Sequence, residues 1–459
     1  VVDAFYGGAW HTVAVGTLRG GGKAVFALDV SDPNNFSEAS TDPAEIALWE
    51  IEATPTVVGS DFEELGFTFS QPAVIKAEGL GWVAVFGNGY DSKSGHAILY
   101  FVNIQTGALL HKIDLGGSNN GLSTVSPIDR DGDGDVDLIY AGDLNGNVWR
   151  IAATLPTGSP PPAFVSGTGF GTATSTLLYA AKNADNTPVS QYITSRMAVG
   201  LHPTSAIGRM VYFGTGKYYE LTDQDPANSV QDNTMYGIWD RDDGSTVPSV
   251  TTRNSNTLQQ QTIVTQMVET FGSNSFEVRE LSDNPVTWVS KDPSTGNWNS
   301  CSATGSCGWY LDLTDTGEKM VATPILRGGR LIFVTTIPSL IPCEAGGSGW
   351  LMEVDPNTGG KINLPVFDLN GDGVFDYNDN ISTDDGSGNT VYEEVSGKKS
   401  KVGILQPPAV LAGVGGAGDG SYGGAEGKYS SGTKDAQIDV TIENPGMLGA
   451  GRKSWARIK

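Results

Sequence analysis

Little in this 459-residue chain points to catalysis or to a membrane. There are only four histidines, His11, His96, His111 and His202, and they share no metal spacing. No G-x-S-x-G elbow occurs. Gly413-Val-Gly-Gly-Ala-Gly418 matches a dinucleotide-binding pattern by letters, but a glycine tract follows it where a helix is needed. Gly214-Thr-Gly-Lys217 lacks phosphate-loop spacing and reads as a strand-end turn. No apolar run approaches 18 residues, so no helical membrane span is expected. Positive charge is also short: 28 Lys+Arg face 52 Asp+Glu, a net charge of −24. That balance repels phosphate backbones and anionic lipid, which argues against nucleic acid and membrane surfaces as partners. Three cysteines, Cys301, Cys307 and Cys343, leave the redox compartment open and allow three pairings. A Cys301–Cys307 bridge would close a very short loop, whereas a bridge to Cys343 would staple neighbouring strands. The chain opens at Val1 without a basic, apolar leader, which fits a mature chain or a fragment.

What is abundant is glycine (61 residues) and short β-branched or aromatic runs between Gly/Asp/Asn/Pro clusters. Trp10–Gly16, Ala24–Asp29, Trp82–Phe86, Ile98–Val102, Asn147–Ile151 and Leu331–Thr335 all read as strands bounded by turns. No segment keeps a 3.6-residue apolar period over three turns; Leu258–Thr270, ambiguous by pattern, goes to strand on its β-branched content. A weak repeat joins them. Phe26-Ala-Leu-Asp29, Phe101-Val-Asn-Ile-Gln-Thr-Gly107, Tyr236-Gly-Ile-Trp-Asp240 and Met352-Glu-Val-Asp355-Pro-Asn-Thr-Gly359 each end an apolar strand in Asp or Asn and a tight turn. Hairpins that cannot bury both faces alone stack radially. The expected fold is therefore all-β, a modified β-propeller of about seven blades with long inserted loops. Blades are expected over residues 1–412, a Gly-rich excursion over 413–434, and over 435–459 a segment that completes the propeller. Pro156–Gly171, Gly244–Asn256 and Asp384–Gly397 are the expected insertions.

Two acidic loops carry the chemistry. Asp129-Arg-Asp131-Gly-Asp133-Gly-Asp135-Val-Asp137 places carboxylates at loop positions 1, 3, 5 and 9, with glycine at 6. Alternating oxygen donors on a sharp turn wrap one side of a cation, and position 7, Asp135, offers its backbone carbonyl while its side chain faces solvent. Uncompensated carboxylates about 4 Å apart repel by about 1 kcal/mol in water and more at lower dielectric, so such a loop implies a metal. Hard oxygen ligands favour Ca²⁺. Position 12 is Tyr140, so the bidentate carboxylate of an EF-hand is missing. The second loop, Asp368-Leu-Asn370-Gly-Asp372-Gly-Val374-Phe-Asp376-Tyr-Asn-Asp379, repeats the spacing and continues to Asp379 at position 12. Its ligands would be Asp368, Asn370, Asp372, the Val374 carbonyl, Asp376 and Asp379, and Asp376–Asp379 could open a short helix.

An ordered set of motifs resembles the C-terminal domain of PilY1/PilC-type pilus tip proteins. It runs through Gly8-Ala-Trp-His-Thr-Val-Ala-Val-Gly16, Gly21–Pro33, Leu65–Pro72, Phe86-Gly-Asn-Gly-Tyr90, the first acidic loop and Tyr140–Arg150. It continues through Phe213–Lys217, Met235–Trp239, Gly308–Asp312, Gly347–Met352 and Gly451–Trp455. The resemblance covers nearly the whole chain. It implies a propeller with quinoprotein-like blades at the pilus tip or cell surface, exported through periplasm and outer membrane. It also implies a non-enzymatic adhesin and biogenesis factor that meets minor pilins and host or other surface ligands. Calcium at Asp129, Asp131, Asp133, Asp135 and Asp137 would set pilus extension against retraction. No Arg-Gly-Asp occurs, so integrin binding is not implied, and the family's variable adhesive N-terminal half is not expected in these residues. Two other classes stay open: a quinoprotein-type dehydrogenase, although no Cys-Cys pair is present, and a passive outer-membrane or secretion scaffold.

Overall fold

The computed structural model describes residues 1–36, 46–154, 169–183, 189–204, 207–226, 232–243, 245–247, 257–302, 305–341, 345–384, 387–412, 425–435 and 437–445. Strands and turns make up nearly all of them, as the short apolar runs imply. The chain divides into two compact units. The first holds Val1–Met197, Thr215–Tyr219 and Asp240–Thr252; the second holds Ala198–Gly214, Glu220–Trp239 and Arg253–Lys459.

The first unit is built of three consecutive four-stranded antiparallel meanders. They comprise Val2–Tyr6, Ala9–Thr17, Ala24–Asp29 and Ala47–Glu52; then Ala73–Ala77, Gly81–Gly87, Ala97–Asn103 and Leu109–Gly116; then Ser126–Ile128, Leu138–Gly142, Asn147–Thr154 and Gly169–Ala180. Strand position in a sheet dictates composition. Ala97–Asn103 is interior and almost wholly buried, hence its unbroken apolar run. Leu109–Gly116, the outer strand, alternates half-buried and exposed residues instead. One apolar core (Val83, Leu99, Phe101, Leu122, Ile139, Phe170) lies between the second and third sheets, and another (Val25, Ile51, Phe86, Tyr100) between the first and second.

The second unit is less regular. One sheet orders Ala198–Leu201, Arg209–Gly214, Thr234–Asp240, Gly308–Asp312 and Gln259–Gln261, the last pair parallel. A six-stranded sheet runs from Ile263–Phe271 through Asn274–Leu281, Gly397–Lys399, Trp350–Val354 and Arg330–Val334 to Ile325–Arg327. The Leu258–Thr270 stretch is thus strand, as its β-branched content implies. The Gly-rich excursion expected over 413–434 is too long: Glu426–Ser431 is a mostly buried central strand between Ala409–Ala412 and Ile438–Glu443. Its alternating Lys428 and Ser430 are buried by ion pairs and packing that glycine counting does not reveal. Residues 413–424, Cys343 and Gly451–Trp455 lie outside the described residues. Cys301 pairs with Cys307, the short-loop alternative.

The weak repeat has a physical basis visible in each unit. Asn103 Oδ1 accepts the N–H groups of Gln105 and Thr106, and Gly107 N donates to Asn103 O at 2.9 Å. Gly107 has φ +69° and lies flat against the Trp49 ring, where a Cβ would sit 2.7 Å from the indole. Trp49 Nε1 then donates to Ile104 O at 2.8 Å. In the second unit the same turn, Asp355-Pro-Asn-Thr-Gly359, seats Trp309: Gly359 has φ +74° and Trp309 Nε1 donates to Pro356 O at 2.9 Å. Only glycine admits both the left-handed backbone and the ring contact. The turn is therefore a dock for a tryptophan from elsewhere in the unit.

Candidate metal loops

Residues 129–137 connect Ser126–Ile128 to Leu138–Gly142 in the third sheet. Val136 fixes the loop to the first strand of the second sheet: its N–H donates to Lys76 O (2.8 Å) and its carbonyl accepts from Glu78 N (2.9 Å). Gly132 and Gly134 take φ +82° and +97°, which turns the chain tightly enough to aim successive N–H groups inward. Asp129 accepts from Gly132 N (2.6 Å) and Gly134 N (2.9 Å), Asp131 from Asp133 N (3.3 Å), and Asp133 from Asp135 N (2.8 Å). Each carboxylate is held by one part of its lone-pair set and left with acceptor capacity on the other. Oxygens of Asp129, Asp131 and Asp133 lie within 4.8 Å of one another. Three converging carboxylates without nitrogen or sulfur donors suit a hard cation, so the donor set fits Ca²⁺.

Two members of the expected set are occupied otherwise. The Asp135 side chain does not face solvent; it pairs with Lys76 Nζ at 2.5 Å, which leaves its backbone carbonyl as the donor the spacing assigns to it. Asp137 is buried and accepts from Arg130 N (2.8 Å) and Arg130 Nε (3.1 Å). Burial pushes the Asp137 carboxyl up, and Arg130 opposes that rise. Glu78 is also raised, first by burial and then by the loop's negative charge.

The second loop repeats the first five positions bond for bond. Asp368 accepts from Gly371 N (2.7 Å) and Gly373 N (3.0 Å), Asn370 from Asp372 N (2.9 Å), and Asp372 from Val374 N (2.8 Å). Gly371 and Gly373 have φ +80° and +79°. Asp376 caps a one-turn 3₁₀ helix, Tyr377–Asp379, by accepting from Asn378 N. That turn brings buried Asp379 back over the loop start, where its Oδ1 accepts from Leu369 N (2.8 Å) and Asn370 N (3.1 Å). Burial pushes the Asp379 carboxyl up to about 6 against those donors.

Arg130, Lys76, Asp240 and Asp242 belong to the first site, and sequence reasoning did not single them out. Arg130 Nη1 is 3.4 Å from Asp242, which also takes Arg150 Nη2; Arg150 Nε lies 3.0 Å from Asp240, and Tyr140 donates to Asp240 at 2.5 Å. The run Asp240-Arg-Asp-Asp was legible only as a turn, because its partners are about 100 residues away in the chain.

Meandering four-stranded antiparallel sheets with glycine-docked tryptophans define a β-propeller protein. Residues 1–275 match the PilY1 beta-propeller domain model, and the chain belongs to that family. It is 38% identical over 421 residues to the type IV pilus biogenesis factor PilY1 of Pseudomonas aeruginosa, covering 87% of this chain and 33% of that protein. A PilY1 homologue of Xylella fastidiosa is 33% identical over 385 residues, covering 79% and 23%. The crystal structure of the Pseudomonas aeruginosa PilY1 C-terminal domain matches at TM-score 0.74 and 33% identity, over 97% of this chain and 82% of that one. The chain thus spans about a third or less of its full-length relatives.

Proposed function

We propose that this chain is the calcium-responsive propeller of a type IV pilus biogenesis factor, working with minor pilins at the pilus tip and in surface attachment. One observation carries the calcium part: Asp129, Asp131 and Asp133 converge while their backbone bonds are already made. The pilus part rests on the names of the relatives, 38% and 33% identical. Bound Ca²⁺ would supply a divalent centre that neutralises the loop. Asp129, Asp131 and Asp133 would hold it by carboxylate, Asp135 by its carbonyl and Asp137 by the carboxylate now on Arg130. In the second loop Asp368, Asn370, Asp372, the Val374 carbonyl, Asp376 and Asp379 are the proposed set.

Calorimetry with Ca²⁺ tests the metal. Lacking a twelfth-position ligand, loop one is expected to bind within ~10⁻⁶–10⁻³ M, the span of sensors and extracellular modules. Nanomolar binding, or none, overturns that. The pilus reading is tested in cells. Asp133→Ala should lose surface pili, and deleting the retraction motor should restore them. Asp133→Lys, which puts an ammonium in the cation's place, should keep pili under chelation. If both variants make normal pili with or without calcium, loop one is only a structural clip.

A further inference from the structure

The second residue of loop one is an arginine, and its guanidinium does not leave the loop. Arg130 gives both its backbone N–H (2.8 Å) and its Nε (3.1 Å) to Asp137, whose side chain is only 2% exposed. The second loop places apolar Leu369 at that position, and Leu369 and Asn370 give only backbone N–H groups to Asp379. Among the described residues, loop one therefore carries a resident cation on one of its own proposed ligands, and loop two does not.

The same guanidinium faces a second carboxylate, with Nη1 3.4 Å from Asp242 Oδ1. Asp242 is held in a left-handed backbone, φ +57°, and donates its N–H to Asp240 at 2.8 Å. Arg150 joins Asp242 to Asp240, and Tyr140 is its cross-strand partner, its hydroxyl on Asp240. The segment is anchored further along, where Thr246 Oγ1 and Val247 N donate at 2.7 Å to Leu177 O and Leu178 O. A non-glycine residue kept at positive φ marks a position that its surroundings over-determine. Here the surroundings are two arginines.

We infer that Arg130 is a built-in competitor for the loop-one cation and relays its occupancy to the segment Asp240–Val247; this rests on the calcium reading above. Without metal, Arg130 neutralises Asp137. A dication that takes Asp137 repels the guanidinium, which then shifts toward Asp242, the second carboxylate it already faces. Occupancy at residues 129–137 is thereby read out as a tighter Arg130–Asp242–Arg150 chain.

The test uses Ca²⁺ as the probe on the full 459-residue chain. Arg130→Gln should bind calcium about tenfold tighter, since a unit charge close to the site is gone. Asp242→Asn should bind a few-fold weaker, because Arg130 loses its alternative partner, and Arg130→Lys should stay near wild type. Opposite signs for the first two exclude a merely structural role, which weakens both; the relay itself is read from exchange. Hydrogen exchange should slow at Asp240–Val247 when calcium is added to wild type, and be indifferent to calcium in Arg130→Gln. If Arg130→Gln does not fold, the sign for Asp242→Asn and the wild-type exchange response decide. Unchanged or weaker binding by folded Arg130→Gln, or calcium-indifferent exchange in a calcium-binding wild type, overturns the relay. A wild type that binds no calcium ends the calcium reading itself.

Discussion

The two acidic loops begin alike and close differently. Asp129 and Asp368 each accept the N–H groups three and five residues on, and both loops cross the same pair of positive-φ glycines. The closing carboxylate then comes from position 9 in one loop and position 12 in the other. Asp137 is already in the sheet, its N–H on Ile128 O and its carbonyl on Ala153 N, so loop one has no room for further residues. Loop two has no strand to join there and adds a 3₁₀ turn that returns Asp379. The difference teaches that the first half of such a loop is local geometry, whereas its closure depends on where the next strand starts. It also separates an ion-paired closure from one made of neutral N–H donors.

Five substitutions sharpen or break this contrast, in order of expected effect. Asp137→Ala, melted in chelator, should be the most damaging, by about 3–5 kcal/mol, because it strips one side of a buried ion pair and leaves Arg130 half-compensated. Asp379→Ala removes an acceptor from three N–H groups, those of Leu369, Asn370 and Asp376, without stranding a charge, so about 1–3 kcal/mol is expected from denaturant melts. If Asp379→Ala proves the costlier, the distinction between the two closures fails. Gly134→Ala and Gly373→Ala should each cost about 1–2 kcal/mol and by similar amounts, since both meet open space and only the left-handed backbone resists. Unequal costs would mean that the two turns are not equivalent after all. Lys76→Met removes a half-exposed partner of Asp135, and a change under about 1 kcal/mol is expected in thermal melts. A larger loss would make Lys76 part of the closure of loop one, a role that no described residue of loop two matches.

The first half of each loop was legible in the letters because Asp129, Asp131, Asp133, Asp368, Asn370 and Asp372 all lie within five residues of the N–H groups they accept from. The all-β class was legible for a similar reason: strand runs and turn residues are local signals. The repeat turn was legible too, as an Asx turn ending in glycine, but not its purpose. Trp49 and Trp309 lie about 50 residues from Gly107 and Gly359, and no local pattern joins them. The disulfide shows the same limit, since the letters allowed three pairings and the close approach of Cys301 and Cys307 selected one. The strand Glu426–Ser431 was obscured by the glycine tract before it. Its Lys428 reads as a surface residue, yet it is buried against Glu353 and Glu443, and a lysine can be buried only when carboxylates on other strands receive it.

By itself the sequence determined the strand-rich class, the net negative charge, and the spacing of the two acidic loops. All of these follow from residues adjacent in the chain. Only the tertiary structure decided that Asp135 meets Lys76, that Asp137 meets Arg130, and that Arg130 faces Asp242, 112 positions further along the sequence. The reason is that charge pairing in a folded β-protein is set by which sheets and returning segments pack together. Those contacts follow from burying both faces of each sheet, and the spacing of acidic residues carries no record of them.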